Sequence, residues 1–210
     1  MTERIAREPG RSTFIQRTRR AQLIACAIDV LAEDGYVQAS LSRIAKRAGV
    51  SRGVILYHFS GRDDLLDAVV SEVYRIATEE LRPTIETQST ALRAVRTFIV
   101  GSAEFYRAYP AHMAALREIV AHSRSADGTI RHSEHSRANE RELSALGVLF
   151  ERGKEAGEFR AFSTPIMART IRSTLDGLLG QMRVDPGYDP VPEAHEVADI
   201  FERAMMRQSE

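Results

Sequence analysis

A chain of 210 residues, 43% hydrophobic and 28% charged, holds enough apolar material for one large domain or two small ones and is not a disordered tract. Its one cysteine, Cys26, excludes an internal disulfide framework and a multi-cysteine zinc site. The net charge of zero hides an asymmetry: residues 1–62 carry 11 Lys and Arg against 5 Asp and Glu, so a basic N-terminal third precedes an equally acidic remainder, the footprint of one end that meets a polyanion.

Residues 1–12 read as a flexible basic arm. The N-terminus lacks the apolar core of a signal peptide, and no apolar run approaches the ~18 residues of a membrane span. A cytoplasmic protein with no membrane partner is expected. The apolar pattern is helical throughout, without clean period-two alternation. A first helix is predicted from Thr13 to Asp34, with Leu23, Ala27, Val30 and Leu31 inward, Cys26 as small core filler, and Gly35 as its stop. A second helix fits Leu41–Ala48, capped by Ser40. Leu41, Ile44, Ala45 and Ala48 share one face, and Gly49 follows as the residue that ends it.

Ser51 caps a third helix, Arg52–His58. Ile55 and Phe59 are four apart and face inward, leaving Arg52, Val54, Tyr57 and His58 outward. A fourth helix opens after Ser60 and Gly61 with Asp63 and Asp64 in its first turn, where the macrodipole favours acids, and is expected to end near Pro83. Further helices are read near residues 90–109, 111–122, 133–156, 164–183 and 192–207. Pro110, the segment 125–128, Gly157 and the loop 184–192 separate them. The fold class is all-α, with about nine helices.

The second and third helices, joined by Gly-Val-Ser, form a helix-turn-helix: small residues where the helices cross, a glycine in the turn, and an outward face shaped for the major groove. The stretch ASLSRIAKRAGVSRGVILYHFSGRDDLL closely resembles the DNA-binding signature of TetR-type transcriptional regulators. The resemblance is dense from Arg17 to Tyr74. A weaker one lies in the G-x-x-x-G-E-F turn at Gly153–Phe159 and in two long C-terminal helices.

That resemblance implies roles. Ser40 and Ser42 would approach phosphate or bases at the start of the second helix, with Arg43 beside them. Ser51 would aim the amides of the recognition helix at phosphate. Arg52 would pair with guanine, Val54 would touch a thymine methyl, and Gly53 would let backbone and DNA approach closely. Tyr57 and His58 would hold phosphate or reach a base edge, and Arg62 would anchor a phosphate. Leu56 stands where the family often has Tyr or Ser, which removes a hydroxyl. The expected organisation is an arm (1–12), a three-helix DNA-binding domain (13–62, motif 40–59) and a C-terminal helical domain (63–210) that dimerises and binds a small molecule.

For dimerisation the sequence offers two stripes: Ile171, Leu175, Leu178 and Met182 on one helix, and Ile200 and Phe201 on the last. Together they could build a four-helix interface. Phe98, Phe105, Tyr106, Met113, Arg117 and Phe150 are the candidate ligand pocket. His112, His122, His132 and His135 lack a metal-ligand spacing, so no metal and no cofactor are expected.

The reading is a homodimeric repressor, not an enzyme, released from a palindromic double-stranded DNA operator by a small-molecule effector. Two classes compete with it. An enzyme would need a nucleophile or paired acids in a cleft, and no G-x-S-x-G, P-loop or dinucleotide fingerprint is present. A DNA-architectural binder would have a sealed C-terminal domain.

Overall fold

The computed structural model describes residues 9–122, 133–185 and 187–207. Among these, nine helices follow in order: α1 Pro9–Gln38, α2 Leu41–Arg47, α3 Arg52–His58, α4 Arg62–Glu86, α5 Ala91–Ala108, α6 Pro110–Ala121, α7 Ser133–Glu155, α8 Thr164–Val184 and α9 Pro190–Met205. The strand-like pairing among the described residues is a single antiparallel bridge between Phe159 and Met206. No described helix is long and apolar enough to cross a membrane.

The helix ends follow local chemistry. Ser40 accepts from the Arg43 amide at 3.2 Å, and Thr90 accepts from the Arg93 amide at 3.2 Å. Gly49 takes a positive φ of 65°, a region that costs other residues strain. Ser51 has the extended backbone of an N-cap, but its hydroxyl makes no capping bond. Gly35 breaks α1 with φ 78° and ψ 172°. Helix α4 runs through Pro83 to Glu86 rather than ending there. The missing proline N–H strips a partner only from the exposed Glu79 carbonyl, close to the helix end, where a lost bond costs least. Residues 9–12, expected in the arm, lie in α1; residues 1–8, the stop at 125–128 and His132 lie outside the described residues.

The chain divides into two compact units. The first holds α1–α3, α4 as far as Glu72, and α6 from Ala115 onward. It buries Leu23, Ile24, Ala27, Ile28, Val30 and Leu31 of α1 with Ile44, Ile55, Phe59, Leu65 and Leu66. The second holds the rest of α4 and α6 with α5 and α7–α9. It is built on packing of α5 against α9, α7 and α8, and of α8 against α7 and α9. The sequence reading ended the first domain at Arg62; here residues 63–72 and 115–122 belong with it.

The G-x-x-x-G-E-F turn stitches the second unit. Gly157 has φ 74°, and the Glu158 and Phe159 amides both donate to the Gly153 carbonyl, at 2.9 and 3.1 Å. Glu158 then accepts from the Leu92 amide at 3.0 Å, at the start of α5. A Cβ on Gly153 would lie 2.2 Å from the Phe159 ring, so only glycine lets the ring seat there.

Candidate nucleic-acid interface

Helix α3 is anchored by two side chains, Ile55 at 0% and Phe59 at 2% exposure. The spacing of four puts them on one face, so the opposite face turns outward. Arg52, Gly53, Leu56 and Tyr57 are exposed, and Val54 and His58 are half-buried. Tyr57 has two contacts: its hydroxyl accepts from Gln16 Nε2 of α1 at 3.1 Å, and its ring stands at 88° to the His58 ring, 5.0 Å between centroids. Arg20 lies over the Phe59 ring, 4.7 Å from its centroid. An open groove lined by Gln16, Arg17, Arg20, Tyr57 and His58 results, with cationic groups on its α1 side.

The cations of α2 are used differently. Arg43 donates to both Asp34 oxygens, Nε at 2.7 Å and Nη2 at 3.2 Å. Arg47 reaches Glu33 at 2.6 and 2.7 Å and Asp29 at 3.3 Å. Their hydrogen bonds hold the Asp34 and Glu33 carboxyls below the usual range. The acids of α1 thus neutralise part of the basic excess before any phosphate arrives. Arg52 is exposed and, among the described residues, carries no ion pair. Ser40 and Ser42 line a second open groove with Asp34, Gln38, Arg43 and Lys46.

Arg62, the expected phosphate anchor, is engaged within the fold. Its Nε donates to the Ala39 carbonyl at 2.8 Å and its Nη2 donates to the Tyr36 carbonyl. Its guanidinium lies 4.1 Å from the Tyr36 ring centroid. His122 of α6 stacks on the same ring, 4.4 Å between centroids and 1° from parallel. Two groups this close to one centroid cannot share a face, so Tyr36 is sandwiched between them. Glu118 of α6 accepts from the Tyr36 amide at 3.0 Å. The end of α6 and the start of α4 therefore fix the turn from which α2 springs. Sequence reasoning missed Tyr36 and Glu118 because they lie 82 residues apart.

Two other sets are redistributed. Of the expected dimer residues, Ile171, Leu175, Leu178 and Phe201 are buried within the chain, at 0, 0, 2 and 8% exposure; Met182 is half-buried and Ile200 is 62% exposed. A stripe at helical spacing marks a buried face without saying what buries it, and here α5, α7 and α9 do. The exposed side of α8 runs instead through Ile166, Thr170, Ser173, Gly177 and Val184. Of the pocket candidates, Phe98, Phe105, Tyr106, Met113 and Phe150 are buried in the second unit, whereas Arg117 belongs to the first. Cys26 is half-buried, and burial pushes its thiol up. His135 meets the Tyr74 hydroxyl at 3.2 Å, and His112 lies edge-on to Tyr109.

A family model for bacterial regulatory proteins of the tetR family matches residues 23–69, the stretch that holds α2 and α3. The fatty acid metabolism regulator protein of Bacillus subtilis (strain 168) is 36% identical over 76 residues, which cover 36% of this chain and 39% of that protein. The match thus spans well under two thirds of that relative. Among solved structures, the fatty acid degradation regulator FadR from Bacillus halodurans gives a TM-score of 0.77 at 22% identity, covering 94% of this chain and 97% of that one. FadR from Bacillus subtilis, in complex with stearoyl-CoA, gives 0.74 at 22% identity, covering 86% and 96%. These structures share the fold. Residues 23–69 thus match the segment by which bacterial regulatory proteins of the tetR family are recognised.

Proposed function

We propose that the chain is a homodimeric transcriptional repressor that binds a palindromic operator and leaves it when a small molecule occupies the second unit. The observation that carries this reading is α3: Ile55 and Phe59 hold it down while Arg52, Gly53, Leu56 and Tyr57 face solvent. A seven-residue helix with one anchored face and one polar, cationic face fits the major groove better than a core. Arg52 reads a guanine edge, and Ser40, Ser42, Tyr57 and His58 position the phosphates. Gly53 admits close backbone approach, and Val54 and Leu56 give apolar contacts to thymine methyls. Arg62 acts by holding the turn before α2, and Arg43 contributes once freed from Asp34.

Self-association is supported by one stripe of small and apolar residues on the outer face of α8, flanked by the exposed Arg169 and Asp176, together with Ile200 of α9. An effector is supported by the likeness to a solved relative that holds stearoyl-CoA. The test is selection of bound duplexes from a random pool, followed by Arg52→Ala on the selected site. The expected result is an enriched inverted repeat, a cost of about 1–3 kcal/mol in the variant and relaxed preference at one base pair per half-site. A pool without enrichment would overturn the reading.

A further inference from the structure

The second unit contains polar side chains that helix packing does not require. Arg172 of α8 is 12% exposed; its Nη1 donates to both Glu142 oxygens of α7 at 2.9 and 3.2 Å, and its Nη2 donates to Asp176 at 2.8 Å. On α4 the Tyr74 hydroxyl meets His135 Nδ1 of α7 at 3.2 Å. Tyr106 of α5 is 3% exposed, and its hydroxyl has no hydrogen-bond partner among the described residues. Arg172 acts on Tyr74, Tyr106 and His135 alike, although it lies outside hydrogen-bonding geometry for the Tyr106 hydroxyl. The six side chains form one electrostatic cluster drawn from four helices.

The orphaned hydroxyl is the telling feature. No partner meets the Tyr106 hydroxyl at full hydrogen-bonding geometry, and the Arg172 guanidinium beside it can only donate, so the hydroxyl's own proton is left without an acceptor. Burial pushes the Tyr106 phenol up to about 12, so it keeps its proton and can donate. The charges around it then set the class of partner. Glu142, 16% exposed, balances the positive charge of Arg172, and Asp176, 55% exposed and in part screened by solvent, adds a further negative charge. Burial, and then Arg172, hold the His135 imidazole below its usual value, so it adds no positive charge at neutral pH. A second buried anion would meet an excess of negative charge, and Arg172 has no carboxylate vacancy to offer it.

Resting on the regulator reading above, we infer that this cluster recognises the polar head of the effector, and that the head is an uncharged carbonyl oxygen on an apolar body, accepting from the Tyr106 hydroxyl. Helices α5 and α7 supply apolar surface for the body through Phe98, Ile99, Leu146 and Phe150, all buried. The hydroxyl is sealed from solvent here, so a ligand reaches it only by parting the surrounding helices. Binding therefore selects the parted arrangement over the closed one, which is the differential affinity a switch needs.

The test uses the full chain, as wild type and Tyr106→Phe, with three probes that share a nonyl chain: 2-undecanone, decanoate and nonylammonium. Without probe, Tyr106→Phe should melt no lower than wild type and up to roughly 2–4 °C higher, because an unpaired hydroxyl is gone. 2-Undecanone should raise the melting temperature of wild type and leave Tyr106→Phe unmoved; the charged probes should move neither. A variant that melts below wild type, a shift that survives in Tyr106→Phe, preference for a charged probe, or no shift with any probe would each overturn the inference. Operator binding without probe separates the two readings: its loss in wild type sinks the regulator, while normal operator binding with a failed probe response sinks only the carbonyl site.

Discussion

Arg62 clamps Tyr36: its guanidinium lies 4.1 Å from the ring centroid and donates to the Tyr36 and Ala39 carbonyls. The Tyr36 carbonyl lies in the last turn of α1, past the break at Gly35, and the Ala39 carbonyl lies in the short link to α2. Charge-assisted bonds of this kind contribute about 1.5–3 kcal/mol, and the ring contact adds roughly 0.5–1 kcal/mol. Arg62→Ala should lower the melting temperature and weaken operator binding. It should also leave the slope of log K against log salt unchanged, because no phosphate contact is lost. A slope reduced by about one ion would instead assign Arg62 to phosphate.

The same turn is held from α6. Glu118 accepts from the Tyr36 amide at 3.0 Å, and Gly35 approaches that carboxylate so closely that a Cβ would meet it at 3.4 Å. Glu118→Ala would remove the acceptor of a part-buried amide, a hydrogen bond to a charged group that contributes about 1.5–3 kcal/mol. Operator affinity should fall although α3 keeps every side chain. Thermal melting and a binding isotherm check this; unchanged values in both would remove Glu118 from the device.

Arg43 and Asp34 make the opposite prediction. While Asp34 holds Arg43 bidentately at 2.7 and 3.2 Å, that charge is not free for DNA. Asp34→Asn should strengthen binding to nonspecific duplex and steepen its salt slope by about one ion. Acid should act the same way. The Arg43 bond lowers the Asp34 carboxyl, so the pair is intact above the carboxyl's ordinary value and is lost as pH falls through the lowered one. A titration of salt slope against pH reads both.

The local elements were legible because their signals are local. Ser40 and Gly49 mark helix ends through their own chemistry, and Ile55 and Phe59 orient α3 by spacing alone. Roles set by distant partners were not. Arg62 sits at the right position for phosphate, yet the fold turns it onto a ring 26 residues upstream. Tyr74, Tyr106, His135, Glu142 and Arg172 fall on four different helices, so no window of sequence contains two of the contacts that join them. Ile171 and Leu175 have the period of a buried face, and period says nothing about whether the cover is the same chain or another.

The turn at Gly153 can be tested by one methyl group. An added Cβ would lie 2.2 Å from the Phe159 ring and 2.9 Å from Ala91. Phe159 is 3% exposed and cannot swing away without leaving the core. Gly153→Ala should destabilise by about 1–3 kcal/mol, the usual cost of overpacking, seen as a lower denaturant midpoint at constant slope. An unchanged midpoint would mean that the ring has room to move.

The outer face of α8 and its inner face should respond to mutation in different ways. Leu175 is fully buried, so Leu175→Ala removes core contacts and should cost about 2–5 kcal/mol, lowering stability at every protein concentration. Gly177 is exposed, with open space around the position of a Cβ, and Ile200 is 62% exposed. Gly177→Arg and Ile200→Asp should therefore leave the fold of one chain intact. If a second copy packs on this face, the arginine needs room that close helix approach denies it, and the aspartate is buried without a partner. Sedimentation should then show monomers with an unchanged far-ultraviolet spectrum. Operator affinity should drop steeply, because two linked half-site contacts become two independent ones. Dimers that persist in both variants would place the self-association surface elsewhere on the chain.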